Sequence, residues 1–140
     1  LSLHDALPIY VAVPFVAWLI AGFLKFIINS FKNKRVAVDL VGYGGMPSNH
    51  SSIVSSVATL IGCTEGVDSP VFGLAITLVF IVIMDANGLR RAVGRHAAVI
   101  NQLSGGGVVL RELMGHTKLE IMAGLFLGML IGFLSASIGF

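Results

Sequence analysis

Two histidines stand in sequence settings that suit phosphoryl chemistry. His50 lies in residues 44–52, GGMPSNHSS. Pro47 and Ser48 suit the first positions of a helix, which puts His50 in its first turn. A helix N-terminus offers unpaired N–H groups and a positive dipole end, and both attract an anion. Gly44 and Gly45 let a bulky anion come close to the backbone. A histidine placed there can give a proton to a departing alkoxide. His116 lies in residues 111–124, RELMGHTKLEIMAG, with Glu120 four residues on. If one helix holds both, they share a face. The carboxylate can then fix the imidazole tautomer and leave the other nitrogen free to attack phosphorus. Arg111, just upstream, can neutralise phosphoryl oxygens.

Cations gather around these segments. Arg90 and Arg91 follow an apolar run that ends in Asp85. An unpaired carboxylate at a membrane helix edge is costly, so Asp85 is expected to pair with a nearby arginine. No second carboxylate beside it completes an oxygen-rich site, and no metal is expected. Residues 90–96 repeat the arginine-to-histidine spacing, which makes His96 a rival nucleophile. No acid follows it four residues on, and an interfacial polar role is the simpler reading. Lys25, near the end of the first apolar run, either snorkels to the headgroups or contacts phosphate. Ser48, Ser51 and Ser52 read first as helix starts or inter-helix hydrogen bonds.

These segments carry a family resemblance. PSNHS, residues 47–51, resembles the PSGHS motif of the type-2 phosphatidic acid phosphatases, relatives of the vanadium haloperoxidases and acid phosphatases. Residues 114–124 resemble their third motif, in which an arginine precedes a histidine and an acid follows it. A compact, divergent branch of that family is closer still. Its runs GGMPS-H-S, DA-G-RR-AG–A–N and LGHT–E–G recur here in order, at residues 44–51, 85–101 and 114–124. The resemblance implies that His116 is the nucleophile, His50 the general acid and Glu120 the orienting acid. It implies phosphate contacts from Lys25, Ser48, Arg90, Arg91 and Arg111, with Asp85 orienting. It implies no cofactor. This chain departs from the larger enzymes in several places. Asn49 precedes the histidine, the first motif lacks its Arg-Pro, the gap from Arg111 to His116 is one residue shorter, and Glu120 replaces an aspartate.

The elements that must position these residues are apolar helices. Of 140 residues, 56% are hydrophobic and 11% charged, against roughly a quarter charged in a soluble domain. Such a chain needs lipid as the solvent for much of its surface. The expected fold is all-α: one membrane bundle over residues 1–140, with about four spanning helices and a shorter amphipathic one. The spans fall near residues 9–28, 48–62, 70–84 and 119–138, and the mixed helix near 91–103. Residues 31–35 (FKNKR), 42–48 (GYGGMPS) and 105–107 (GGG) read as loop, turn and break. Gly124, Gly128 and Gly132 form a small-residue packing face, and a homo-oligomer is compatible with them. Residues 1–9 look like a non-native leader, and no cleavable signal peptide is evident. The lone Cys63 reads as a buried small hydrophobe.

Charge divides the two sides of the bundle. Glu65 and Asp68 fall on one side, and the basic residues gather on the other. The positive-inside rule puts the basic side in the cytoplasm, with FKNKR as an orientation signal, but arginines that bind phosphate inflate that count and the larger relatives generally work from the outer face, so both orientations stay open. A bacterial plasma membrane is the expected location. The net charge of +2 is too small to argue for nucleic acid. The function expected is a lipid-phosphate phosphatase working through a phosphohistidine, with a phosphorylated membrane lipid as substrate. The alternatives are a non-enzymatic protein that binds or moves such lipids, and a purely structural helical subunit.

Overall fold

The computed structural model describes residues 3–36 and 45–138, with side chains from Pro8 onward. Gly42 to Gly44 of the glycine turn lie outside the described residues, as does the start of the leader. The described chain is helical throughout: α1 (Leu3–Asn33), α2 (Asn49–Glu65), α3 (Pro70–Met84), α4 (Arg90–Leu103) and α5 (Lys118–Ile138).

α2 is the centre of the bundle, with α1, α3 and α5 packed around it. Its sequence explains that position. Ser51, Ser52, Ser55 and Ser56 are all buried, and three of these hydroxyls satisfy themselves on carbonyls of the preceding turn. Ser52 donates to Ser48 O (2.9 Å), Ser55 to Ser51 O (2.6 Å) and Ser56 to Ile53 O (2.8 Å). With their donors satisfied, they present a smooth, small-residue surface. α5 meets that surface with Gly124, Gly128 and Gly132. A Cβ on Gly124 would run into Ser48 and Ser51, one on Gly128 into Ser52 and Ser55, and one on Gly132 into Ser56 and Thr59. The glycines therefore set how closely the two helices approach.

Three helical stretches among the described residues are long and apolar enough to cross a membrane: Pro8–Asn33, Pro70–Leu103 and Lys118–Ile138. Three of the four expected spans are found, and α2 falls short of that length. α2 has 17 residues, about 26 Å of helix against a hydrocarbon core of about 30 Å, and its serines lower its apolarity. Its neighbours α1, α3 and α5 pack around it. The outer surface is what lipid requires, with Phe15, Trp18, Phe23, Leu74, Phe80, Phe126 and Phe133 all exposed.

The separate amphipathic helix expected after Asp85 is a continuation. A π-helical turn, Asp85–Leu89, joins α3 to α4 without a break. The Arg90 N–H reaches Asp85 O across it. After α4 the chain folds back. Asn101 Nδ2 donates to Leu110 O (2.7 Å) and Glu112 Oε1 (2.8 Å), while Leu110 N–H donates to Asn101 Oδ1 (2.7 Å). Gly94 is buried where this returning segment passes, and a Cβ there would strike Glu112 O.

Candidate active site

Five segments converge at one end of α2. Ser48 caps the helix, its Oγ accepting from Ser51 N–H (3.4 Å), and so aims the first turn with His50. Ser48 N–H donates to Glu120 O (3.1 Å), which ties the start of α2 to the start of α5. α5 opens with a capping box, Thr117-Lys118-Leu119-Glu120. Thr117 N–H donates to Glu120 Oε2 (3.1 Å) and Glu120 N–H to Thr117 Oγ1 (3.2 Å). The same Oε2 lies 3.1 Å from His116 Nδ1. His116 therefore sits just outside the helix that holds its carboxylate, and the capping box fixes that carboxylate.

The backbone of His116 is held as firmly. Its N–H donates to Ala86 O in the π turn (3.1 Å). Gly115, at φ +84°, makes the bend that brings it there, and a Cβ at Gly115 would strike Arg91. The π turn also presents Asp85, whose Oδ2 accepts from Arg90 Nε at 2.8 Å. Such turns recur where a helix must re-aim its side chains.

The rings of His50 and His116 lie 6.2 Å apart, tilted by 59°. Lys25 comes from α1, only 3% exposed, and acts electrostatically on both rings, as does Arg90. His116 is 7% exposed. Burial pushes its imidazole below the usual range. The Glu120 hydrogen bond and charge oppose that shift, and the charges of Lys25 and Arg90 add to it. A cavity of about 420 Å³ opens beside His116, with Glu120, Glu112, Arg91 and Lys32 in its wall.

A profile of the Divergent PAP2 family matches residues 8–131. The chain belongs to that family. It is also similar to the "Uncharacterized membrane protein YuiD" of Bacillus subtilis, 30% identical over 139 residues, covering 82% of this chain and 85% of that protein. No solved structure matches. The apolar spans and this relative make the chain an integral membrane protein.

Of the family's expected site residues, His50, His116, Glu120, Lys25, Arg90 and Asp85 stand together at this end of the bundle. Arg91 lines the cavity. Ser48 is fully buried between α2 and α5, where it caps and tethers. Arg111 is exposed, its Nε on Leu113 O (3.3 Å), and is not in the cavity wall. His96 is exposed on α4. Among the described residues no group of three His, Cys, Asp or Glu side chains is placed to hold a metal.

Asn101 closes the second family run, but its role escaped the sequence reading: it clamps the loop that carries His116. The capping box was legible as T-x-x-E. Asn49 Oδ1, His50 Nδ1 and Asn87 Oδ1 are buried with no hydrogen-bond partner among the described residues, a costly state that a bound donor would relieve.

Proposed function

We propose that this Divergent PAP2 protein hydrolyses a phosphomonoester or pyrophosphate of a membrane lipid through a phosphohistidine. The observation that carries the reading is the pair of imidazoles 6.2 Å apart, one of them held by a carboxylate at 3.1 Å. Glu120 accepts from Nδ1–H of His116, which leaves the lone pair on Nε2. That nitrogen attacks phosphorus, forming the P–N bond as the bond to the lipid oxygen breaks. His50, as its imidazolium, gives the departing oxygen a proton. A water molecule then gives a proton to His50 and attacks phosphorus, which breaks the P–N bond and frees phosphate. Lys25 and Arg90 offset the charge on the equatorial oxygens, and Asp85 holds the guanidinium in place. The substrate's tail stays in the bilayer, so the chain works on lipid in place.

The test is phosphate release from a panel of lipid phosphates by the purified protein in detergent. Release that is lost in both His50→Ala and His116→Ala supports the reading. Lipid binding without release, unaffected by either change, would favour the non-enzymatic alternative.

A further inference from the structure

The helical stretch Pro70–Leu103 is longer than a membrane needs. Its 34 residues make about 51 Å of helix, against a hydrocarbon core of about 30 Å. Its wholly apolar part ends before Arg90, Arg91 and Arg95, so α4 projects beyond the lipid. α1, α3 and α5 pack on α2, whereas α4 stands largely clear of that bundle. One face of α4 is occupied. Gly94 and Ala97 are buried there, and Asn101 binds the returning segment. Another face carries Leu89, Val93, Ile100 and Leu103, all exposed. Outside lipid, an apolar stripe of this kind marks an interaction surface.

The spacing of the stripe specifies its partner. With His96 included, it falls at positions 89, 93, 96, 100 and 103, at intervals of four, three, four and three. That is the seam of a coiled coil, with Val93 and Ile100 at the a positions and Leu89, His96 and Leu103 at the d positions. β-branched side chains at a and leucine at d suit a parallel pair of helices. Membrane insertion supplies the parallel arrangement, because the charge asymmetry that orients one copy orients every copy alike. The charges permit close approach as well. Arg91 and Arg95 fall at f and c, off the seam, and Arg90, at e, is paired with Asp85 at 2.8 Å. The glycine face of α5, the other candidate for self-association, is already filled by α2.

We infer that α4 is a homodimer interface, in which two copies pair their α4 helices in parallel about an axis normal to the membrane. The same residues meet on both sides, as an isologous contact requires. The two His96 rings face each other across the axis. A single polar residue in such a seam fixes its register and the number of strands, at a cost in stability. The seam has two heptads, where a free coiled coil is recognised by about three to four. Here, however, the helix is already formed as a continuation of α3, so no new nucleus is needed. Insertion in one bilayer also aligns the two partners before they meet, which lowers the entropy lost on pairing.

Cysteine crosslinking tests this in the membranes of cells that co-express two differently tagged copies of the full chain. The native cysteine, Cys63, is first changed to serine. Under a mild oxidant, Ile100→Cys and Leu103→Cys should each give a disulfide-linked product that carries both tags. Gln102→Cys, exposed on the same helix but off the seam, should give several-fold less. Adding Val93→Asp to Leu103→Cys should remove the product, whereas adding Gln102→Asp should leave it. His96→Leu should let the Leu103→Cys product persist at lower expression, because the polar cost in the seam has gone. Equal yields at positions 100, 102 and 103 would overturn the proposal, and so would a product that survives Val93→Asp. If α4 instead lies on the headgroups, Ile100→Cys and Leu103→Cys should resist a water-soluble thiol reagent and give no mixed-tag product, which also overturns it.

Discussion

A single carboxylate oxygen, Oε2 of Glu120, accepts from the N–H of Thr117 and lies at hydrogen-bond distance from the ring of His116. The atom that ends one helix cleanly is the atom that orients the proposed nucleophile. Local folding and chemistry therefore share a group. Glu120→Gln should lower turnover by about 10- to 100-fold, the usual loss when the partner of a functional imidazole is weakened. Thr117→Ala should instead cost about 1 kcal/mol of stability, as loss of a cap does, with a smaller effect on rate. Phosphate release and thermal unfolding of the two variants separate these effects. Equal rate losses would mean that Glu120 matters only as a cap.

The two histidines should fail differently. His116→Ala should give no phosphoenzyme in a rapid-quench experiment. His50→Ala should still form one, with turnover lowered by about 10²- to 10⁴-fold for alkyl esters. An ester of an acidic phenol, which needs no proton to leave, should rescue the His50 variant and not the His116 variant. Vanadate should inhibit the parent and lose affinity when His116 is removed. A fully active His116→Ala alongside a dead His96→Ala would show that the nucleophile had been misassigned.

The pH profile has a definite sign. Burial first, and then the Lys25 and Arg90 charges, hold the His116 imidazole below its ordinary value of 6.5 against the pull of Glu120. The ring is therefore neutral, and competent to attack, at neutral pH and somewhat below. The acid limb of kcat/KM that reports this ring should lie under 6.5 and fall as pH drops through the lowered value. Stability moves in the same direction: below 6.5 the unfolded chain takes up a proton that the folded site resists. Lys25→Met should move the acid limb upward, because one repelling charge has gone. An acid limb above 6.5 in the parent would contradict the burial argument.

The contact between α2 and α5 predicts a contrast among glycines. Gly128→Val has no space against Ser52 and Ser55 and should cost about 1–3 kcal/mol or more through overpacking. Gly22 and Gly73 have nothing within 4 Å of an added Cβ. Gly22→Ala and Gly73→Ala should be neutral or stabilise by up to about 1 kcal/mol, the helix-propensity difference. Denaturation midpoints in mild detergent decide between these outcomes. A harmless Gly128→Val would refute the close approach.

What the sequence showed most clearly was what depends on short spacings. His116 and Glu120, Ser48 and His50, and Asp85 and Arg90 are each separated by five residues or fewer, and local motifs announced them. α2 was legible as a helix, and the serines of its early turns suit the interior place it takes. Its 17 residues fall just short of a usual span, with three neighbours packed around it. The apolar run ending in Asp85 read as the end of a helix, yet a π turn, Asp85–Leu89, carries it on into α4, since hydrophobic periodicity does not distinguish a stop from a widened turn. Lys32 was assigned to orientation because a cation at a helix end has that default meaning. Its spacing from Asn29 was visible, but the cavity those two line was not.

The hydroxyls of Ser52, Ser55 and Ser56 are spent on their own helix, so they hold nothing on α5. The facing surfaces are a rack of notches repeating every four residues, about 6 Å of travel, and steric fit alone treats neighbouring notches nearly alike. Slippage by one notch would carry His50 away from His116 while leaving the helices nested. The Ser48 N–H bond to Glu120 O, at 3.1 Å, lies at the mouth of that rack and singles out one setting. It works as a detent, and the alignment of the two imidazoles is indexed to it.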